Sequence, residues 1–198
     1  MREKRKGNWM SLAEELLEHA RFIASLDPET ISQAGIRRAI STAYYAVFHL
    51  LAEEVSGQVS PASPSGLRER TQRALEHTQM LKVAKAFSLE GASRIKDLPG
   101  DVPLPQPVSR ELASIANGFR ELQEARYSAD YDVLKQFDPA DAFALVQKAE
   151  QVFNDWKVEK GNQAIPLSSW HLLCSANPGI NRMEKKKGVV LSTREQWH

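Results

Sequence analysis

The stretch Ile36 to Val55, IRRAISTAYYAVFHLLAEEV, sets the architecture of the whole chain. It contains neither Pro nor Gly, the two residues that interrupt a helix most strongly. Projected on a helix, Ile36, Ile40, Ala43, Val47, Leu50 and Leu51 form one apolar stripe, which Tyr44 and Phe48 flank and widen. The opposite side carries Arg38, Ser41, Thr42, Tyr45 and His49, where a solvated face would collect Lys and Glu. Two readings fit. Either this is a core helix whose few polar groups are hydrogen-bonded internally, or it is a central helix contacted on both sides, whose second side meets a partner or a site.

Helical patterns recur on either side of this stretch, and sustained strand alternation is nearly absent. Upstream, the spacing predicts a helix over 9–26, opened by a capping box from Ser11 and Glu14, with Leu12, Leu16, His19, Ile23 and Leu26 as its apolar line and Leu17 and Ala20 beside it. Asp27-Pro28-Glu29 makes a turn, and the central helix begins between Glu29 and Gly35. Ser56-Gly57 is expected to end it, followed by a Ser- and Pro-rich loop over 60–66. A third helix is predicted over 67–87, with Leu67, Ala74, Leu81, Ala84 and Phe87 inward. The Pro-rich connection over 88–108 is extended and irregular.

A fourth helix opens near Ser109 and carries Leu112, Ile115, Phe119, Leu122, Arg126 and Ala129 at spacings of three and four. Asp138-Pro139 opens a fifth, lined by Ala142, Val146, Ala149, Phe153 and Trp156 and closed by Gly161. The expectation is an all-α, up-and-down bundle of about five helices. It spans 9–160, between a basic extension over 1–8 and a largely irregular tail over 161–198 whose end contributes little to folding.

Composition narrows the function classes. The chain of 198 residues suits one domain with appendages. Its 26 basic and 25 acidic groups leave a net charge of +1, so no global field calls for nucleic acid. Basic groups do concentrate in the opening MREKRK and around Lys185-Lys186-Lys187. The single Cys174 forms no intramolecular disulfide and has no paired motif. His19, His49, His77, His171 and His198 are too scattered for a zinc site, and no Gly-rich phosphate loop occurs, so neither metal nor cofactor is expected. No apolar run is long enough to cross a membrane and no secretion signal is visible; a soluble, cytoplasmic protein is the expectation.

Arg126 is the sharpest candidate for chemistry, because it occupies a seam position that calls for an apolar side chain. A guanidinium placed there must find partners, and Asp130 lies one turn later on the same face. One reading is an ion pair that fixes helix packing; the other is a cation presented to a phosphate. His49 is a possible general base one turn after Tyr45. Arg38, Thr42, Tyr45 and His49 together form a strip able to face a second subunit.

The segment Arg37-Arg38-Ala39-Ile40-Ser41-Thr42-Ala43-Tyr44-Tyr45-Ala46-Val47-Phe48-His49 resembles the signature helix of the HEPN family, the higher eukaryotes and prokaryotes nucleotide-binding domain. Leu122 to Asp132, LQEARYSADYD, resembles the Arg…Ala-Asp-Tyr-Asp segment of the same branch. The resemblance covers roughly residues 10–157. It implies a helical bundle, a homodimer, a toxin-like role against RNA or the binding of RNA or a nucleotide, and a frequent partner, a minimal nucleotidyltransferase antitoxin.

In the nucleases of that family an arginine is followed four to six residues later by a histidine, and RNA is cut without metal at a composite site across the dimer. The histidine would take the 2′-OH proton and the arginine would stabilise the phosphorane charge. This chain departs from that pattern: Arg126 is followed by Tyr127, Ser128, Ala129, Asp130, Tyr131 and Asp132. The catalytic candidates are therefore Arg126, Asp130 and His49, with Arg38, Thr42, Tyr45 and Tyr131 as binding candidates. Arg70 and Arg73 before His77 match the nuclease spacing loosely, on the wrong helix. The rival to an endoribonuclease is a helical nucleotide-binding or protein-interaction module without catalysis.

Overall fold

The computed structural model describes residues 10–59, 77–88 and 108–161. Five helices account for 82% of them, and no strand occurs among them. They are α1 (Leu12–Ala24), α2 (Gln33–Val59), α3 (His77–Phe87), α4 (Arg110–Tyr131) and α5 (Pro139–Gly161). The expected basic extension, the 60–66 loop, the start of the third helix with Arg70 and Arg73, most of the Pro-rich connection and the tail lie outside the described residues. Among the described residues no helix is long and apolar enough to cross a membrane. The chain divides into two compact units, Met1–Leu50 with Leu122–Glu150, and Leu51–Glu121 with Gln151–His198.

In the first unit the local signals act as the sequence implies. Ser11 caps α1: the Glu14 amide donates to Ser11 Oγ at 3.2 Å and the Ser11 amide donates to Glu14 Oε2 at 3.0 Å, a complete capping box. The Asp27 turn closes with the Thr30 and Ile31 amides donating to the Asp27 carbonyl at 3.0 and 2.9 Å. Ser32 then starts α2, its Oγ accepting from the Gly35 amide at 3.2 Å. Gly35 sits inside the helix, where a Cβ would meet Ile31 Cγ1 at 3.0 Å; its bare backbone makes room for that side chain.

The core of this unit gathers Ile23, Ile36, Ala39, Ile40, Ala129, Phe137 and Ala142. From Ala39 to Phe48 nearly every α2 side chain is buried, so the chain's own residues contact this helix around most of its circumference. The buried face of α1 keeps Ile23 and the flanking Leu17 and Ala20 but is turned away from the rest of the expected line. Ala13, Leu17, Ala20 and Ile23 are buried, whereas Leu12 and Leu26 are 48% and 40% exposed and His19 is exposed. Two helical lines one residue apart both had the right period; α1 packs through the one with alanines, which permit closer approach.

Arg37 and Gln33 fix the segment between α4 and α5. Arg37 donates from Nη1 to the Ala129 carbonyl at 2.7 Å and from Nη2 to the carbonyls of Asp132 and Lys135 at 2.8 and 2.5 Å. These carbonyls lie at or beyond the C-terminal end of α4, where helix acceptors lack intrahelical donors. Gln33 donates to the Phe137 carbonyl at 2.6 Å and accepts from the Phe137 amide at 3.1 Å. The side chains of Arg37 and Lys135 also lie over the Phe137 ring, at 5.3 and 4.7 Å from its centroid. Asp138-Pro139 opens α5 as the sequence implies, although here the Asp138 amide donates to Asp141 Oδ2 at 3.0 Å.

In the second unit α2 runs through Ser56-Gly57 to Val59, contrary to the expected stop. Ser56 is fully buried and its hydroxyl donates to the Glu53 carbonyl at 2.9 Å, so it bonds back into the helix rather than ending it. Met80, Ala84 and Phe87 of α3, Leu112, Ile115 and Phe119 of α4, and Phe153 and Trp156 of α5 are buried, as is Leu51. Ser109 caps α4 through the Leu112 amide at 3.1 Å and donates to Glu159 Oε2 at 2.9 Å. Burial pushes the pKa of Glu159 up, against the pull of that hydrogen bond and with the repulsion of Glu111.

Replacing Arg37 by Ala removes three charge-assisted hydrogen bonds at once. The expected loss is about 2–3 kcal/mol in urea unfolding. Arg37→Lys restores little of it, because one ammonium cannot reproduce the fork that reaches three carbonyls. An Arg37→Ala protein with an unchanged midpoint would show that the clamp contributes nothing.

Candidate functional site

The side chains singled out by the sequence converge on Arg126. Leu122 and Ala129 are buried on the face of α4 on which Arg126 stands, and 19% of the Arg126 side chain is exposed. Its Nε lies 2.7 Å from Asp130 Oδ2, one helical turn on. That contact is an ion pair rather than a directed hydrogen bond, because the Nε hydrogen does not point at the carboxylate. Nη2 donates to the Tyr45 hydroxyl at 2.8 Å, and Ser41 Oγ donates to the other carboxylate oxygen, Asp130 Oδ1, at 2.5 Å. Two α2 hydroxyls therefore hold the two partners of an α4 ion pair.

Aromatic rings surround the guanidinium. Its Cζ lies 5.4 Å from the Tyr45 centroid, 5.6 Å from Tyr131 and 5.9 Å from Tyr44. Burial alone would pull the Arg126 pKa down; Tyr45, Asp130 and Tyr131 more than offset that, and the group stays a cation. Burial likewise pushes the Tyr44 hydroxyl up, while Arg126 draws it back, so Tyr44 remains neutral.

His49 stands apart from this network. Ring contacts lead to it from Tyr45 through Tyr44 (5.3 Å), Phe48 (6.2 Å) and on to His49 (5.6 Å, edge to face). Its Nδ1 is buried without a hydrogen-bond partner, and burial lowers its pKa below the ordinary 6.5. The imidazole is therefore neutral at physiological pH. Of the strip expected to face a second subunit, Arg38 is exposed, Tyr45 and His49 are half-buried, and Thr42 is buried at 6% exposure. Thr42 is thus a packing residue: α2 turns it inward along with Ser41, which removes it from any accessible binding face.

The structure brings Arg126, Asp130, Tyr45 and Tyr131 together and adds Ser41 and Tyr44, to which the sequence assigns no role. Ser41 was legible in principle: a small hydroxyl one turn before Tyr45 can reach the same neighbour. Exposed beside the site are Tyr127 and Tyr131, one turn apart with ring centroids 5.1 Å apart. No cluster of three or more His, Cys, Asp or Glu able to hold a metal ion occurs among the described residues. No protein-family model, curated protein or solved structure matches this chain.

Arg126→Ala strands Asp130 and frees two hydroxyls. The expected destabilisation is about 2–3 kcal/mol, below the value for a wholly buried pair because both side chains keep some solvent. Arg126→Lys is expected to recover less than half of that loss. Unchanged thermal melting of the Ala variant would overturn this account.

For His49 the sign follows from its lowered pKa. The native state disfavours the imidazolium, so its contribution is present above pH 6.5 and is lost as pH falls below it. Wild-type protein should lose more stability between neutral and mildly acid pH than His49→Gln, as measured by denaturant titrations across that range. Parallel pH profiles would exclude the effect.

Proposed function

We propose that this chain is a HEPN-like helical module that binds RNA or its nucleotide units, acts as a homodimer and does not itself cut RNA. The observation that carries the reading is the state of Arg126. Its guanidinium is held by the Asp130 carboxylate and the Tyr45 hydroxyl, and among the described residues no imidazole is bonded to it. A metal-independent cut needs a base for the 2′-OH proton beside a cation for the developing phosphorane charge. Here a carboxylate that already neutralises the arginine takes the base's place. Binding needs less: a positive group with aromatic surfaces around it.

Within this reading Arg38, Tyr45 and His49 border the second copy, and a nucleotidyltransferase is the partner that the family resemblance implies. A second reading, a metal-independent endoribonuclease of the toxin class, draws support from one observation. His49 is kept neutral, with an unpartnered Nδ1, on the same helix as Tyr45. Arg126, Asp130 and His49 would then share the work across two subunits.

One experiment separates the readings. Purified protein is incubated with total cellular RNA in EDTA, and its binding to a labelled oligoribonucleotide is followed by fluorescence anisotropy. The expected result is intact RNA together with saturable binding. Cleavage in EDTA that disappears in His49→Ala would establish the nuclease reading instead. No binding and no cleavage would defeat both.

A further inference from the structure

Large aromatic side chains are normally withdrawn from water, because each carries a large apolar surface. Tyr127 and Tyr131 are 64% and 61% exposed. They stand one turn apart on α4, so both project from the same face, and their rings meet at 5.1 Å with a tilt of 50°. Tyr131 also touches the Arg126 guanidinium, whose Cζ lies 5.6 Å from its ring centroid. One contact of that ring is thus a fixed cation, while most of its surface stays open.

The backbone that follows is held as firmly. Asp132 Oδ1 accepts from the Leu134 and Lys135 amides, both at 3.2 Å, and Arg37 binds the carbonyls of Asp132 and Lys135. Val133 and Leu134 nevertheless remain 81% and 87% exposed. Tyr127 and Tyr131 thus stand in ring contact on α4, and the backbone that carries Val133 and Leu134 just after them is held by hydrogen bonds, so a ligand settling there has little backbone to order.

We propose that Tyr127 and Tyr131 form a stacking platform for an unpaired nucleobase, with Val133 and Leu134 as its apolar margin. The proposal rests on the RNA-binding reading given above and deepens it, by making the ligand single-stranded. Area favours a base over a protein. A stable protein interface takes about 800 Å² and 20–30 residues from each partner, polar ones included, whereas a base needs only one ring face, which either exposed tyrosine offers. Rings of this kind bind every base because every base has a π-face, and they select for strands whose bases are not already paired.

The test compares a short labelled oligoadenylate with a duplex of similar length, by anisotropy on the full chain. The proteins are wild type, a Tyr127→Ala/Tyr131→Ala double variant and a Tyr127→Phe/Tyr131→Phe double variant. Circular dichroism confirms that each is folded, and light scattering gives its mass. Wild type is expected to prefer the single strand. The Ala pair should lose about tenfold or more of that affinity, with duplex binding unchanged, and the Phe pair should stay close to wild type. Wild type that binds the single strand while the Ala pair binds it equally well would overturn the platform and leave the RNA-binding reading standing. The same would follow if the Ala pair kept its RNA affinity but changed in mass, which would make the surface a contact between copies. Wild type that binds neither probe would remove the RNA reading and the platform with it.

Discussion

A guanidinium on an apolar helix seam has to be neutralised where it stands, and the unit that contains Arg126 is arranged around that requirement. Asp130 supplies the countercharge from the next turn of α4, but an ion pair alone leaves unsatisfied donors and lone pairs. Tyr45 and Ser41 of α2 complete it, one bonding the cation and the other the anion. These bonds fix both the rotation of α4 against α2 and their register, which apolar packing alone specifies loosely. The aromatic rings that enclose the guanidinium then follow, since Tyr44 and Tyr45 flank the same turn of α2.

Much of this was legible in the sequence because it depends on short-range rules. The Ser11 and Glu14 capping box, the Asp27 turn, the opening of α5 at Pro139 and the inward faces of α4 and α5 all follow from residues within a turn or two of each other. The anomaly at Arg126 was legible for the same reason, and it led to Asp130. What failed was decided by tertiary packing. On α1 two apolar lines of equal period competed, and only the presence of neighbours selects the one through Ala13 and Ala20. Ser56-Gly57 looks like a stop, yet burial of Ser56 carries the helix on to Val59. The role of Arg37 has no local signal, because its acceptors lie more than ninety residues away.

The candidate site shows the same division. That Arg126 and Tyr45 meet required the packing of two helices distant in sequence, and the direction in which Thr42 turned could not be read from its position opposite the apolar stripe. The exposure of Tyr127 and Tyr131 carries the opposite lesson. A helix pattern with Arg126 on its seam already places its neighbour Tyr127 off that seam, so the open aromatic face was implicit in the feature that drew attention to the arginine. Two tyrosines on water-facing positions beside a neutralised cation leave an aromatic surface there rather than a concentration of charge.

The clamp formed by Gln33 and Arg37 also bears on how the chain tolerates change in length. Its hydrogen bonds join positions 92 to 104 apart, and the first unit is assembled from two stretches separated by everything between Leu51 and Glu121. For that unit the whole intervening stretch is one long closure, and closure entropy grows only with the logarithm of length. Doubling the length of a flexible connection within it would cost only about 0.6 kcal/mol. Such distant pairings form after local helices do, so they weigh on the folding rate more than on the final stability. An architecture closed in this way can accept long insertions between its halves while the geometry around Arg126 stays as it is.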